Sequence, residues 1–227
     1  MKKFVIVWIL WILSWVALSS ALAAEKEVEV EVRGKGLIAH SPPFTMTLPG
    51  ELRWVHSSST DYPGESSRTR VHFFVREKIK QVEELLIIQI AERTNPQAEP
   101  ISVPPLKSLS EDAAYLTGRL KKGDREVEYL VQLMGWDPKA PSLRPIMKAG
   151  FIIPPHLALQ GQGLFVYSLD RAVQVRFSKD AQSFGIKVSD KAESWKKGSL
   201  AGNERKASEA FQKIFLEMMQ SITFPKL

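Results

Sequence analysis

Ala114-Tyr115-Leu116-Thr117-Gly118-Arg119-Leu120, then Lys121-Lys122-Gly123-Asp124, then Glu126-Val127-Glu128-Tyr129-Leu130-Val131-Gln132-Leu133-Met134 decides the fold. In the second run Val127, Tyr129, Val131 and Leu133 share one face, while Glu126, Glu128 and Gln132 take the other. Period two marks a half-buried strand, and a glycine-bearing turn between two such runs marks a hairpin. The unit of construction is therefore an antiparallel pair of strands.

The same signature recurs outward in both directions. Downstream, Gly163 to Ser168 and Ala172 to Phe177 read as a second hairpin turning at Leu169-Asp170-Arg171. Upstream, Leu85-Leu86-Ile87-Ile88-Gln89-Ile90 is the most hydrophobic stretch beyond the N-terminus. Its isoleucine-rich composition favours a buried strand, and the flanks Lys78 to Glu84 and Ala91 to Arg93 leave a helix as the alternative. Glu51 to Ser57 and Arg70 to Arg76 read as strands around a polar loop, Ser58 to Ser67, with Pro63-Gly64 as its turn. Phe44 to Pro49 is a short strand, and Glu27 to Val32 alternates valine with glutamate. The chain closes with an amphipathic helix. Asn203 is its expected N-cap, Glu204 lies in its first turn, and Ala207, Ala210, Phe211, Ile214, Phe215 and Met218 form its apolar stripe. Lys206, Glu209, Lys213 and Glu217 take the outer side. The expected class is α+β, an antiparallel sheet built of hairpins with a C-terminal amphipathic helix packed on it.

The N-terminus speaks to location. Lys2 and Lys3 precede an apolar run from Phe4 to Leu18, and Ala21-Leu22-Ala23 supplies small residues where a signal peptidase reads. The run is roughly 15 residues, short of the ~20 that span a bilayer comfortably. Residues 1–23 are thus expected to be a signal peptide and 24–227 a single exported domain, periplasmic or otherwise exported. An uncleaved anchor is the alternative. Once the signal is removed, no membrane span is expected. The chain has no cysteine, so burial alone must hold an exported fold, and thiol chemistry is excluded. Lys2 and Lys3 are the only charges in the signal, which leaves 29 basic against 25 acidic residues, a mild +4. There is no basic stripe interleaved with aromatics, so nucleic acid is not an expected partner.

Phe44-Thr45-Met46-Thr47-Leu48-Pro49 with Trp54 behind it resembles the start of PsbP-like domains, named for an extrinsic protein of photosystem II. The strand series ending in a helix of the form Phe211 to Ser221, followed by Ile222-Thr223-Phe224, resembles their close. The resemblance covers roughly residues 44–224. It implies an α/β/α sandwich around an antiparallel sheet, acting as an accessory or binding module without catalysis.

No catalytic constellation is legible. His40, His56, His72 and His156 show no metal-ligand spacing, so neither a metal nor a cofactor is expected. Symmetric pairing about Gly64 would oppose His56 to His72 and Trp54 to Phe74, a pair able to hold a metal or sense pH. Two unrelated histidines are the simpler reading. Ser194-Trp195-Lys196-Lys197 has the form S-x-x-K, with Ser189-Asp190-Lys191 upstream in the wrong order for penicillin-binding chemistry. Gly161-Gln162-Gly163 precedes a strand, so it offers no helix terminus to a phosphate.

The expected function is an exported, non-catalytic binding or accessory protein of the cell envelope, docking an envelope protein or lipid. A periplasmic hydrolase with dispersed catalytic residues is the alternative. Pro138 to Pro155 holds too many prolines for regular structure, yet is rich in apolar side chains. It reads either as a cover folded onto the sheet or as a proline-stiffened lip that binds a partner. The lip reading nominates Trp136, Arg144, Met147 and Phe151, with Lys139 and Lys148 beside them for anionic groups.

Overall fold

The computed structural model describes residues 29–101, 103–107, 114–155, 157–185, 200 and 202–225. The stretch 1–23 expected to be a signal peptide, His156, and the Ser189 and Ser194 motifs lie outside them. Among the described residues no helix is long and apolar enough to cross a membrane.

Among the described residues ten strands and two α-helices follow in order: β1 Val30–Arg33, β2 Gly36–His40, β3 Pro43–Thr47, β4 Arg53–Tyr62, β5 Ser67–Lys78, β6 Gln81–Arg93, β7 Ala114–Lys122, β8 Arg125–Gly135, α1 Arg144–Lys148, β9 Leu157–Ser168, β10 Arg171–Asp180 and α2 Gly202–Gln220. Strands β1-β2-β3 form a small sheet, and the large sheet runs β4-β5-β6-β10-β9-β8-β7. Every pairing between named strands is antiparallel. Two meanders, β4 to β6 and β7 to β10, are joined where β10 pairs with β6, so the class is α+β.

β6 is a strand, and its position explains its composition. It lies inside the large sheet with both faces covered. Leu86, Ile88 and Ile90 enter one core cluster, while Leu85 and Ile87 enter another. A strand buried on both sides loses its polar alternation and reads as a continuous apolar run. The β7–β8 hairpin turns on Gly123-Asp124, with Lys122 opposite Arg125 and Gly123 at φ +66°. Such left-handed backbone is what a two-residue hairpin loop demands.

The first face of the large sheet is covered by α2 and the small sheet. Phe44, Met46, Phe74, Phe177, Phe211 and Phe215 meet there, all but inaccessible to solvent. Gly161 and Gly163 lie within β9 rather than ahead of it, and they are where α2 comes closest. A Cβ on Gly161 would meet the Phe215 ring, and one on Gly163 the Met219 sulfur. The helix begins at Gly202, so Asn203 is its second residue and not the residue before it. Its buried stripe is Ala207, Ser208, Phe211, Phe215, Met218 and Met219. Ala210 is exposed, because the helix is turned toward Ser208 and Met219. Beyond it, Thr45 and Thr223 exchange backbone hydrogen bonds, tying β3 to the chain after α2.

The second face is covered by residues 136–153. This segment does contain regular structure: a 3-10 turn at Pro141–Leu143 runs into α1. Pro141 and Pro145 stand in first turns, where a missing N–H leaves no helical bond unmade. Val82 donates to the Ile152 carbonyl and Ile152 to that of Lys80, which straps the cover to the β5–β6 turn.

A second departure concerns the polar stretch Ser58 to Ser67. Most of it is strand: β4 runs to Tyr62 and only Pro63 to Ser66 turn. β4 is an edge strand whose residues face solvent almost throughout. Its serines report exposure, and the ladder with β5 supplies the backbone bonds that a loop would lack.

Candidate functional site

A cleft of about 550 Å³ opens where β1 crosses the first face of the large sheet near its β4 edge. Val30, Val32 and Trp54 form its apolar walls, and Glu29, Ser57, Arg70 and His72 its polar floor. Alternation along β5 sends Arg70, His72 and Phe74 to one face. Phe74 goes into the core, and the other two go toward β1.

A β-bulge in β4 completes the site. Trp54 pairs with Phe74 as symmetry about the turn requires, but the register then slips, so His56 pairs with Phe73 and Ser57 with His72. His56 therefore does not oppose His72. The extra residue, Val55, inverts the pleat and brings Trp54 and Ser57 to the same side, although residues three apart in a regular strand point oppositely.

The result is a chain of polar contacts. Trp54 Nε1 donates to Ser57 Oγ at 3.1 Å, and Ser57 Oγ lies 2.8 Å from His72 Nδ1. An indole N–H can only donate, so the serine accepts there, and with a second lone pair and its own proton it pairs with either tautomer of His72. His72 Nε2 is 3.2 Å from Glu29 Oε2. Glu29 Oε1 is 2.7 Å from Arg70 Nε, and Arg70 Nη2 is 2.7 Å from Glu92 Oε2. None of these last three meets hydrogen-bond geometry, and the two made by Arg70 are charge contacts. His72 is 4% exposed, so the cluster is expensive to break and pins β1 to the large sheet. Trp54, at 55%, stands open at the mouth. Among the described residues no three His, Cys, Asp or Glu side chains are grouped to hold a metal.

Ser57, His72 and Glu29 are a hydroxyl, an imidazole and a carboxylate in sequence, the residue types of a nucleophilic relay. Two features separate them from a working one. The serine oxygen is already engaged by Trp54, and Glu29 shares its charge with Arg70, which weakens its hold on an imidazolium. What the arrangement offers is a rigid wall of hydrogen-bonding groups beside an exposed aromatic face.

Three of the four residues nominated for a lip pack together in one core cluster, and Arg144 stands apart from them. Trp136 and Phe151 are buried in the cluster with Phe73, Val75, Leu85 and Ile87, and Met147 packs partly buried against it. Arg144 is exposed at the start of α1. Apolar side chains in this segment seal the second face of the sheet, and Arg53 lies over the Phe151 ring at 5.0 Å. Sequence reasoning singled out Trp54 and His72 but missed Ser57, Glu29 and Arg70, because a serine run resembles a loop and a bulge leaves no mark in composition. No family model, no curated protein and no solved structure matches the chain.

Proposed function

We propose that this chain is an exported, non-catalytic binding or accessory module of the cell envelope whose ligand seats in the cleft between β1 and β4. The observation behind this reading is the exposed Trp54 ring above the ordered Ser57–His72 floor. An aromatic face beside fixed polar groups is the usual make-up of a ligand site. The resemblance to PsbP-like accessory domains points the same way, as does the leader-like N-terminus. An envelope protein or a lipid presenting an apolar edge and hydrogen-bonding groups would suit the cleft.

The test is capture from an envelope extract by the mature protein, with Trp54→Ala as the comparison. Loss of capture with an unchanged melting temperature supports the reading, and undiminished capture removes the cleft from it. The relay of Ser57, His72 and Glu29 favours a hydrolase as the second reading. Covalent labelling of Ser57 by a fluorophosphonate, absent in Ser57→Ala, would replace the binding module with that enzyme.

A further inference from the structure

Ile79 is the most exposed large apolar side chain among the described residues, at 89%, and Ile152 stands at 58%. They come from distant parts of the chain and are brought to one end of the large sheet. Ile79 leads the two-residue turn between β5 and β6, and the Ile152 N–H donates to the carbonyl of Lys80, the second residue of that turn. Singly exposed apolar residues are ordinary on a protein surface. Two features set this pair apart, and the first is backbone strain. Ile79 has φ +51° and Lys80 φ +64°. A β-branched residue in the left-handed region is an outlier, and turns of this kind are normally built from asparagine and glycine. The isoleucine therefore costs the fold conformational energy and gains it almost no burial. The turn is nevertheless held firmly. Glu77 Oε2 accepts from the Lys80 N–H at 2.8 Å, and Val82 donates to the Ile152 carbonyl at 2.9 Å. The product is a rigid tip that presents an apolar side chain outward.

The second feature is charge. Lys78 and Lys80 flank Ile79, and Lys148 lies four residues before Ile152, all three of them exposed. Among the described residues none of these lysines is in ion-pair contact with a carboxylate. The acidic residues closest to the turn in sequence are already engaged, Glu77 by Arg53 and Glu83 by Arg76. The tip is thus apolar at its centre and cationic at its rim. The β9–β10 turn, at the opposite end of the sheet, exposes Leu169 at 68% but has no lysine beside it.

We propose that the β5–β6 tip docks the protein on an anionic lipid surface, with Ile79 and Ile152 entering the interfacial layer and Lys78, Lys80 and Lys148 meeting the headgroups. An apolar wedge rimmed by cations suits a protein that lies on such a surface without spanning it. Lysine stems run along the apolar layer while their ammonium groups stay among the anionic headgroups. A rigid tip also has little freedom to lose on docking. The tip is separate from the Trp54 cleft, so the proposal stands whether or not that cleft binds anything.

The test uses residues 24–227, which hold all the described structure, in a sedimentation assay with vesicles. One set is phosphatidylcholine alone, and the other is phosphatidylcholine and phosphatidylglycerol in equal parts. The protein should sediment with the anionic vesicles and bind the neutral ones about tenfold more weakly. Salt at about 1 M should release it, because charge is then screened within ~3 Å. Ile79→Ser with Ile152→Ser should weaken anionic binding by about tenfold or more. Lys78→Gln should weaken it by about fivefold, and Leu169→Ser should leave it unchanged. Ile79→Asn with Lys80→Gly separates docking from folding. It relieves the turn, so it should melt above the wild type, yet bind about tenfold more weakly. The proposal is overturned if the wild type ignores anionic vesicles, or if the Asn-Gly variant binds unchanged or melts below the wild type. It is equally overturned if Leu169→Ser weakens binding as much as Ile79→Ser. A dimer in sedimentation velocity that Ile79→Ser disperses would also overturn it, by giving the tip to a second copy of the chain.

Discussion

Replacing Gly161 by alanine tests the packing of α2 on the sheet with a single methyl group. In most strands the change would stabilise by about 0.4–1 kcal/mol, because alanine has less unfolded freedom to lose. Here the new Cβ would fall inside 3.0 Å of three Phe215 ring atoms, Cγ, Cδ2 and Cε2. Carbon atoms rest at about 3.5–4.0 Å, so ring or helix must move. The ring has little freedom to do so. Phe215 is fully buried and stacks on Phe211 with centroids 6.4 Å apart, and Phe211 stacks on Phe177 at 5.9 Å. Overpacking of this kind costs about 1–3 kcal/mol, and a ring held in a column puts Gly161→Ala at about 2–3. Urea melts should show a lower midpoint at unchanged slope. Phe215→Leu in the same chain should recover part of the loss, giving a coupling above about 0.5 kcal/mol. A midpoint at or above that of the wild type, or strictly additive losses, would refute the close approach.

Two further outcomes follow from the same architecture. Phe215→Ala should cost about 3–5 kcal/mol as a buried phenylalanine, and Lys213→Ala on the outer side within about 0.5; equal small effects in a denaturant melt would mean that α2 is not packed as described. Glu84 is buried and lies 2.7 Å from Arg76 and 3.0 Å from Lys179. Glu84→Gln should therefore cost about 3 kcal/mol, because it takes the buried carboxylate from Lys179 and leaves Arg76 to Glu83 at 3.9 Å. Breaking the exposed Arg119–Glu126 pair with Arg119→Gln should cost under about 1 kcal/mol; comparable losses at both sites would sink that contrast.

Much of the fold is legible in local chemistry. The β7–β8 hairpin follows from Gly123-Asp124 between alternating runs, and the β9–β10 hairpin from Leu169-Asp170. The β5–β6 hairpin is different. Its turn is Ile79-Lys80, both residues at positive φ, where the usual signal is Asn-Gly. Nothing in those two residues announces a turn. It is held from outside, by Glu77 accepting from the Lys80 N–H and by the strap from Ile152. Proline density in 138–155 likewise reports where backbone donors are missing, and not that Leu143 and Ile146 have a sheet to cover.

The sequence by itself determined the β7–β8 and β9–β10 hairpins, the closing helix and most of the apolar residues that had to be buried, because these depend on periodicity and turn chemistry within a few residues. Tertiary structure decided the cleft between β1 and β4 and the polar contacts across the large sheet. Ser57 meets His72 only because one bulge shifts the β4 register, and Glu29 joins them from the residue that precedes β1. Arg176 and Gln89, 87 residues apart in the chain, become neighbours only when β10 pairs with β6. Contacts of that kind depend on strand order and register, which are set by how the whole chain buries its surface and not by any short run of residues.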